Sequence, residues 1–265
     1  MNPIRTPSSL LKSEMLGSTL LITMNRPERL NALTDEMKIL FRDLLLSVRD
    51  DVEIRAVVVT GEGRAFCSGA DLSSGNKSAG EEILPSRPAP RFGWLELFHK
   101  LPVPVIAAVN GPAVGGGFGI ALACDIRVMG EGSYFYPAFT DRGLAADNGV
   151  SWMLPRLVGP AKALRWMWDA SRIYSEEALQ TGLADLVVAD EKVLEEAIEL
   201  AQKWAKGPTV AYGLIKDQVY AGLTEDYGTQ LIAEEFQQAR ASATEDVAEG
   251  VAAFREKRAA KFVGR

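Results

Sequence analysis

The sequence predicts an α/β fold in which strands and helices alternate, followed by an all-helical region. Two patterns support this prediction. Short β-branched segments recur in the first half of the chain, and apolar residues spaced as on one helix face recur after about residue 175. At 265 residues, one α/β body with a helical appendage accounts for the chain, so we place a core domain at residues 1–190 and a helical region at 191–265.

The first strand–helix unit begins at residues 20–24, which have the composition of a strand. A polar turn follows, and Thr34 is expected to cap the next helix, whose first turn carries Asp35 and Glu36. The β-branched residues 56–59 predict a second strand. The apolar face of the helix consists of Met37, Leu40, Phe41, Leu44, Leu45 and Val48.

A second unit follows the same plan. Residues 105–109 predict a strand, a glycine run at 115–117 leads into a helix of small residues, and residues 126–128 predict the next strand. Between the two units, residues 73–92 are rich in Ser, Gly and Pro and are expected to form a mobile loop.

The remaining chain is predicted to be helical. One helix starts at Ser175 and ends at Gly182, another ends at Gly207, and two more are expected over 231–240 and 245–261. The apolar faces of these helices need a surface to pack against. We therefore expect a homo-oligomer in which a partner subunit supplies that surface.

Composition excludes several functions. The 47% hydrophobic content allows a sizeable core, and a net charge of −6 disfavours nucleic acid or an anionic membrane as a partner. The sequence contains only two cysteines, Cys67 and Cys124, and one histidine, His99. A metal site or a histidine-based triad is therefore not expected. His99 is predicted to be a surface or packing residue. The sequence shows no signal-peptide pattern or long apolar run, so a cytoplasmic location is expected.

The run Gly115, Gly116 and Gly117 is the first candidate site. Glycines between a strand and a helix expose backbone N–H groups at the positive end of that helix, where an oxyanion can approach closely. The alternative interpretation is that these glycines only let the helix pack tightly on the sheet. A dinucleotide-binding motif does not fit the position of the run in the chain.

Three segments together resemble the crotonase superfamily, also called the enoyl-CoA hydratase/isomerase family. They are NRPERLNAL at 25–33, AFCSGADL at 65–72 and PVIAAVNGPAVGGG at 104–117, and the resemblance continues through 143–149, 154–159 and 249–258. It implies a crotonase-type ββα superhelix, or spiral core, with a C-terminal helical oligomerisation region. It also implies an acyl-CoA thioester substrate, no separate cofactor or metal, and a homotrimer or dimer of trimers.

The resemblance also assigns site residues. It places the amides of Ala70 and Gly116 in an oxyanion hole that binds the thioester carbonyl. The other residues expected along the CoA thioester are Arg29, Leu30, Ala32, Asp71, Leu72 and Gly115. A solvated turn charge is the alternative interpretation of Arg29. Near the C-terminus, the resemblance suggests Arg258, Lys261 and Phe262 for the adenosine phosphates.

The catalytic acid departs from the family's hydratases, which use two glutamates. The corresponding positions here are Gly119 and Phe139, and neither can transfer a proton. Asp147 is the acid left nearby, and it resembles the single carboxylate of the family's enoyl-CoA isomerases. Apolar neighbours should bury it in part, which suits a carboxyl that exchanges a proton near neutral pH. An alternative role is an N-cap for the next helix. Further candidates are Asp141, Tyr134 and Tyr136.

Three hypotheses follow for function. The first is an enoyl-CoA isomerase in which Asp147 moves one proton between two carbons of an enolate. The second is an enoyl-CoA hydratase or acyl-CoA hydrolase on the same scaffold. The third is a non-catalytic relative that binds CoA or RNA, and the acidic net charge disfavours the RNA version.

Overall fold

The computed structural model describes residues 8–72 and 93–265, so the loop predicted at 73–92 lies outside the described residues. A six-stranded sheet forms the central layer, and a smaller three-stranded sheet lies beside it. The strands are β1 (Leu11–Leu16), β2 (Thr19–Met24), β3 (Ala56–Gly61), β4 (Val105–Val109), β5 (Ala113–Val114), β6 (Ile126–Gly130), β7 (Tyr134–Tyr136), β8 (Ile173–Tyr174) and β9 (Leu186–Val188).

The large sheet has the order β1-β2-β3-β4-β6-β9 and is parallel except for the antiparallel β1–β2 pair. The small sheet has the order β5-β7-β8. The predicted α/β class is confirmed, since helices connect most of the parallel strands.

Most of the remaining described residues lie in helices. In that part, no helix is both long and apolar enough to cross a membrane. The helices are α1 (Asp35–Asp50), α2 (Glu96–Lys100), α3 (Gly116–Ala123), α4 (Val150–Val158), α5 (Pro160–Trp168), α6 (Ser175–Gln180), α7 (Val193–Ala205), α8 (Thr209–Gly222), α9 (Tyr227–Ser242) and α10 (Glu245–Glu256).

Both faces of the large sheet are buried. In β3, Val57 and Val59 belong to the larger core with α1, α2 and α3, whereas Val58 belongs to a second core with Ala197 and Ala201 of α7. This alternation is the period of two expected for a strand buried on both sides. Helix α7 therefore covers the sheet, although it lies in the region assigned to the tail.

Helix α1 forms as its pattern predicts. The Thr34 hydroxyl accepts a hydrogen bond from the Met37 N–H at 3.1 Å, which confirms the predicted cap. Burial of each large apolar side chain contributes about 1.5–3 kcal/mol, so its apolar face is what holds this helix on the sheet. The buried residues are Met37, Phe41, Leu44, Leu45 and Val48.

The structure also corrects the element assignments. Helix α10 ends at Glu256, not at residue 261, because Lys257 adopts a left-handed φ of 53° that ends the helix. The short strands β1, β5, β7, β8 and β9 were not predicted. The partners of β5, β7, β8 and β9 lie far along the chain, so residue type alone carries little signal for these strands, whereas β1 forms a hairpin with β2.

Candidate active site

Two glycine-containing turns, after β3 and after β5, lie against each other. Gly69 has a φ of 87° and Gly115 a φ of 51°, in the left-handed region that glycine adopts without steric cost. A Cβ atom built on Gly69 would lie 2.8 Å from the Val114 carbonyl oxygen and 3.4 Å from the Gly116 nitrogen. The close approach requires glycine at 69 and brings Ala70 next to Gly116.

The backbone amides of Ala70 and Gly116 are donors without an acceptor in the described chain. The Leu33 N–H donates to the Gly69 carbonyl at 2.7 Å, and the Leu33 carbonyl accepts from the Asp71 N–H at 3.0 Å. In such a parallel bridge, the N–H of the middle residue, Ala70, points away from Leu33. Across residues 8–72 and 93–265, neither the Ala70 N–H nor the Gly116 N–H is hydrogen-bonded. An anionic oxygen could accept from both.

The N-terminus of helix α3, the positive end of its dipole, lies at the Gly116 amide. Gly115 is its N-cap, so no side chain caps the first-turn amides. Gly117 serves a different purpose, because a Cβ there would collide with the Cys67 carbonyl oxygen and lie 2.7 Å from the Cys67 Cβ. The packing interpretation of the glycine run thus holds for Gly117, whereas Gly116 contributes an N–H without an acceptor in the described chain.

The loop that carries the predicted CoA-binding residues is fixed by Asn31. This fully buried side chain donates to the carbonyls of Glu62 at 2.9 Å and Ala65 at 2.8 Å, and it accepts from the Arg26 N–H at 2.9 Å. Every polar group of the carboxamide is used, so Asn31 has a structural role. Sequence reasoning missed it; the available signal was an asparagine within a polar turn.

A buried ion pair joins this loop to the second turn. The Arg26 guanidinium lies 2.9 Å from the Asp71 carboxylate, and both side chains are largely buried. Arg26 also donates to the Ala32 carbonyl at 2.6 Å. Asp71 was predicted to lie along the thioester, and in the structure its carboxylate holds the turn through Arg26.

The segment around Leu30 lies against the second turn. The Leu30 carbonyl accepts from the Ser68 N–H at 2.9 Å, which aligns the first loop with the second turn. Arg29 and Leu72 are exposed there, whereas Ala32 is buried.

Arg258, suggested for the phosphates, is already engaged near the C-terminus. Its guanidinium contacts the carboxylates of Glu249 and Glu256, each at 2.6 Å. The hydrogen bonds that Glu249 accepts from Arg258 and from the Lys261 N–H lower the pKa of Glu249 to about 2. The cation is therefore neutralised within the chain.

Asp147 lies half-buried just before α4. The helix begins at Val150 with Gly149 as its N-cap, and the Val150 N–H bonds to the backbone carbonyl of Asp147 at 3.1 Å. The N-cap interpretation of Asp147 is therefore wrong, because a glycine occupies the cap position and no side chain caps the helix.

One carboxamide connects Asp147 with the glycine turn. The Asn148 Nδ2 atom donates to the Asp147 Oδ1 at 2.6 Å and lies 3.0 Å from a Cβ built on Gly116. The predicted acid and the predicted oxyanion amide thus flank the same side chain.

A cavity of about 480 Å³ opens beside this carboxamide. Gly119 and Asn148 line it at one side, and the rings of His99, Trp152 and Tyr220 form a wall. His99 stacks on Tyr220 with ring centroids 4.0 Å apart, in agreement with its predicted packing role. Burial lowers the pKa of His99 to about 4, so this wall is neutral at physiological pH. The cavity is wide enough for a small acyl group.

Comparison with known proteins decides the family. A family model described as Enoyl-CoA hydratase/isomerase matches residues 14–265. The chain belongs to the enoyl-CoA hydratase/isomerase family, the crotonase superfamily. It is 39% identical to a 1,2-epoxyphenylacetyl-CoA isomerase of Escherichia coli K12 over 92% of this chain and 94% of the relative. It is 38% identical to a probable enoyl-CoA hydratase of Rhodobacter capsulatus, over 96% of this chain and 98% of the relative.

Solved structures show the same fold. DspI of Pseudomonas aeruginosa superposes with a TM-score of 0.91 at 33% identity, covering 99% of this chain and all of that one. An enoyl-CoA hydratase from Polaromonas sp. JS666 superposes with a TM-score of 0.89 at 32% identity, covering 95% and 99%. The predicted crotonase-type fold is confirmed, and the protein is an acyl-CoA-transforming enzyme of this family.

Within this crotonase fold, Gly119 and Phe139 stand at the two positions expected to hold glutamates in hydratases. A Cβ on Gly119 would collide with the Asn148 carbonyl oxygen and lie 2.7 Å from the Asn148 Cβ, so that segment fills the space of a side chain. The buried ring of Phe139 lies 4.0 Å from a Cβ built on Gly115, next to the glycine turn. Neither position offers a titratable group.

The further acid–base candidates of this crotonase-family chain are paired at the surface. The Tyr136 hydroxyl donates to the Asp141 carboxylate, and this hydrogen bond raises the pKa of Tyr136. Tyr134 packs against the Tyr174 ring at 5.7 Å.

Proposed function

We propose that this protein is an enoyl-CoA isomerase, which shifts a double bond of an acyl-CoA thioester through an enolate. The observation that supports this most is that Asn148 connects the Asp147 carboxyl with Gly116, whose N–H, like that of Ala70, lacks an acceptor in the described chain. One carboxyl is sufficient to move one proton between two carbons, whereas hydration needs both an activated water and a proton donor.

In the proposed reaction, the thioester oxygen accepts hydrogen bonds from the N–H groups of Ala70 and Gly116. The Asp147 carboxylate removes a proton from Cα of a 3-enoyl-CoA, and the electron pair delocalises into a dienolate whose negative charge rests on the thioester oxygen. The protonated Asp147 then delivers this proton to Cγ. The 2-enoyl-CoA product has the same atoms as the substrate, and no cofactor beyond the CoA of the substrate takes part.

The surface formed by residues 29–33 and 69–72 is the proposed path of the CoA thioester. Its loop is fixed by Asn31 and by the Arg26–Asp71 pair, so the path is preorganised. The exposed Arg29 offers a positive charge at its rim. The proposed acyl site is the cavity beside Gly119.

A ring-bearing acyl group is a second candidate substrate for the same chemistry. The wall formed by His99, Trp152 and Tyr220 favours a planar group, because flat faces stack on aromatic rings. The relative in Escherichia coli K12 named 1,2-epoxyphenylacetyl-CoA isomerase supports this candidate.

We further propose that the enzyme assembles as a homotrimer or a dimer of trimers. Helices α8, α9 and α10 expose large apolar side chains in the single chain, including Val219, Phe236 and Phe254. Apolar surface of this kind marks contacts between subunits. Analytical ultracentrifugation tests the assembly directly.

The isomerase proposal is tested with 3-enoyl-CoA and 2-enoyl-CoA thioesters offered to the wild type and to Asp147→Asn. We expect the wild type to isomerise the 3-enoyl substrate, and the variant to lose about 10²–10⁴-fold in kcat because the general base is gone. Isomerisation by the variant at the wild-type rate would contradict the role of Asp147. Fast hydration of the 2-enoyl substrate by the wild type would instead support a hydratase.

A further inference from the structure

Asn148 combines three features that a packing residue does not need. It is buried, with 6% of its surface exposed, it has a left-handed φ of 50°, and its Nδ2 donates to Asp147 at 2.6 Å. Its backbone and Cβ also fill the space above Gly119 on α3. Asn148 therefore occupies the gap between the proposed acid and the helix that begins with the Gly116 amide.

The orientation of the carboxamide follows from its partner. An ionised carboxylate only accepts hydrogen bonds, so the end of Asn148 that faces Asp147 must be the NH₂ group. The Oδ1 atom is then at the other end, where it is buried and has no hydrogen-bond donor among the described residues. An unsatisfied buried acceptor costs about 1–3 kcal/mol, so stability alone does not explain an asparagine here.

Asn31 shows what a purely structural asparagine looks like in this chain. It is also buried with a positive φ, 56°, but all of its polar groups bond to backbone atoms of the protein. The Asn148 NH₂ group instead donates to the proposed catalytic carboxylate of Asp147. The difference between the two residues separates a role in folding from a role in the site.

We propose that Asn148 is a positioning residue that holds the Asp147 carboxylate, ionised, beside the Gly116 amide. This inference rests on the proposed function, since it acts through Asp147. A donor to the carboxylate stabilises its charged form and limits its rotation, which keeps the base aimed at the substrate carbon. The backbone and Cβ of the same residue fill the space at Gly119, so Asn148 both excludes a side chain at that position of α3 and orients Asp147.

Two substitutions separate these contributions. Asn148→Gly keeps the left-handed backbone at little cost and removes the carboxamide. Asn148→Asp keeps the size of the side chain but replaces the donor by an acceptor next to Asp147. We expect kcat for 3-enoyl-CoA to fall about 10–100-fold in the glycine variant, because a misplaced base costs rate. The aspartate variant should fall at least as far, because like charges oppose each other.

KM and the pH profile of the Asn148 variants distinguish a positioning role from a purely structural role of this residue. We expect KM to stay within about threefold, because Asn148 lies on the acid side of the site and not on the proposed CoA path. In Asn148→Asp, the acidic limb of the kcat/KM profile should move to higher pH, because the second carboxyl disfavours ionisation of Asp147. The matched variant Asn31→Gly should lower Tm more than Asn148→Gly does, because it removes three bonds to the protein.

Asp147→Asn, measured alongside, keeps the two proposals apart. If that variant retains isomerisation, the proposed function fails whatever Asn148 does. If Asp147→Asn is inactive but both Asn148 variants keep wild-type kcat and an unshifted pH profile, the positioning role is refuted. A parallel fall of kcat and Tm in Asn148→Gly, with no pH shift in Asn148→Asp, would also overturn it.

Discussion

Acidification should destabilise this protein through its single histidine. Burial lowers the pKa of His99 from its ordinary value of 6.5 to about 4, and the Lys216 ammonium adds to this effect. The carboxylates of Asp125 and Glu96 act in the opposite direction but do not offset burial. The folded state thus favours the neutral ring.

The sign of the effect follows from the depressed pKa. Above pH 6.5 the ring is neutral in both states, and its contribution to stability is fully present. As the pH falls from 6.5 to about 4, His99 is protonated in the unfolded chain but stays neutral in the folded chain, so the free energy of unfolding decreases. Each pKa unit corresponds to about 1.4 kcal/mol, so the full loss is about 3 kcal/mol, of which about 2 kcal/mol falls between pH 7 and pH 5.

Two measurements check this prediction on tag-free protein. Imidazole NMR shifts report one residue without ambiguity, because the sequence contains one histidine. Urea unfolding at pH 7 and pH 5 then compares the wild type with His99→Gln, which cannot titrate. Carboxylates contribute equally to both proteins, so the difference in pH dependence isolates His99. An imidazole that titrates between pH 6 and 7 would refute the reasoning, as would equal pH dependence in the two proteins.

Three further predictions concern the site. Gly116→Pro should reduce kcat about 10²–10³-fold because it removes the N–H of the proposed oxyanion hole, and it should also lower Tm because the added ring atoms would crowd Asn148 and Leu33; steady-state assays and thermal melts measure both effects. Gly119→Glu should not produce 2-enoyl-CoA hydration and should lower Tm, because the Asn148 backbone occupies the space; a gain of hydration would contradict this. Arg26→Met should lower the free energy of unfolding by about 1–3 kcal/mol in urea titrations and raise KM, because the Asp71 carboxylate loses its cation; an unchanged KM would argue against the CoA path.

Local patterns were sufficient for several elements. The apolar spacing of Phe41 with its helix neighbours and the cap at Thr34 involve residues a few positions apart, and both form as predicted. The turn at the glycine run could also be predicted from the sequence, because glycines between a strand and a helix indicate a local backbone conformation that other residues rarely adopt.

Contacts between distant segments could not be predicted in this way. The pair of Arg26 and Asp71 and the anchoring by Asn31 join residues far apart in sequence, and nothing in their local patterns indicates a partner. Gly119 is the clearest case. The sequence shows only a missing acid there, whereas the structure shows that Asn148 fills the space.

The sequence by itself determined the α/β class, the family and the residues of the two glycine turns, because motifs and periodicity are encoded over short spans of chain. Only the tertiary structure decided how those turns meet and what lies between them. It placed Ala70 beside Gly116, rejected Asp147 as a helix cap and set Asn148 between acid and amide. These relations depend on the packing of α3 and α4 around the sheet, which places residues in contact across sequence distances that no local pattern spans.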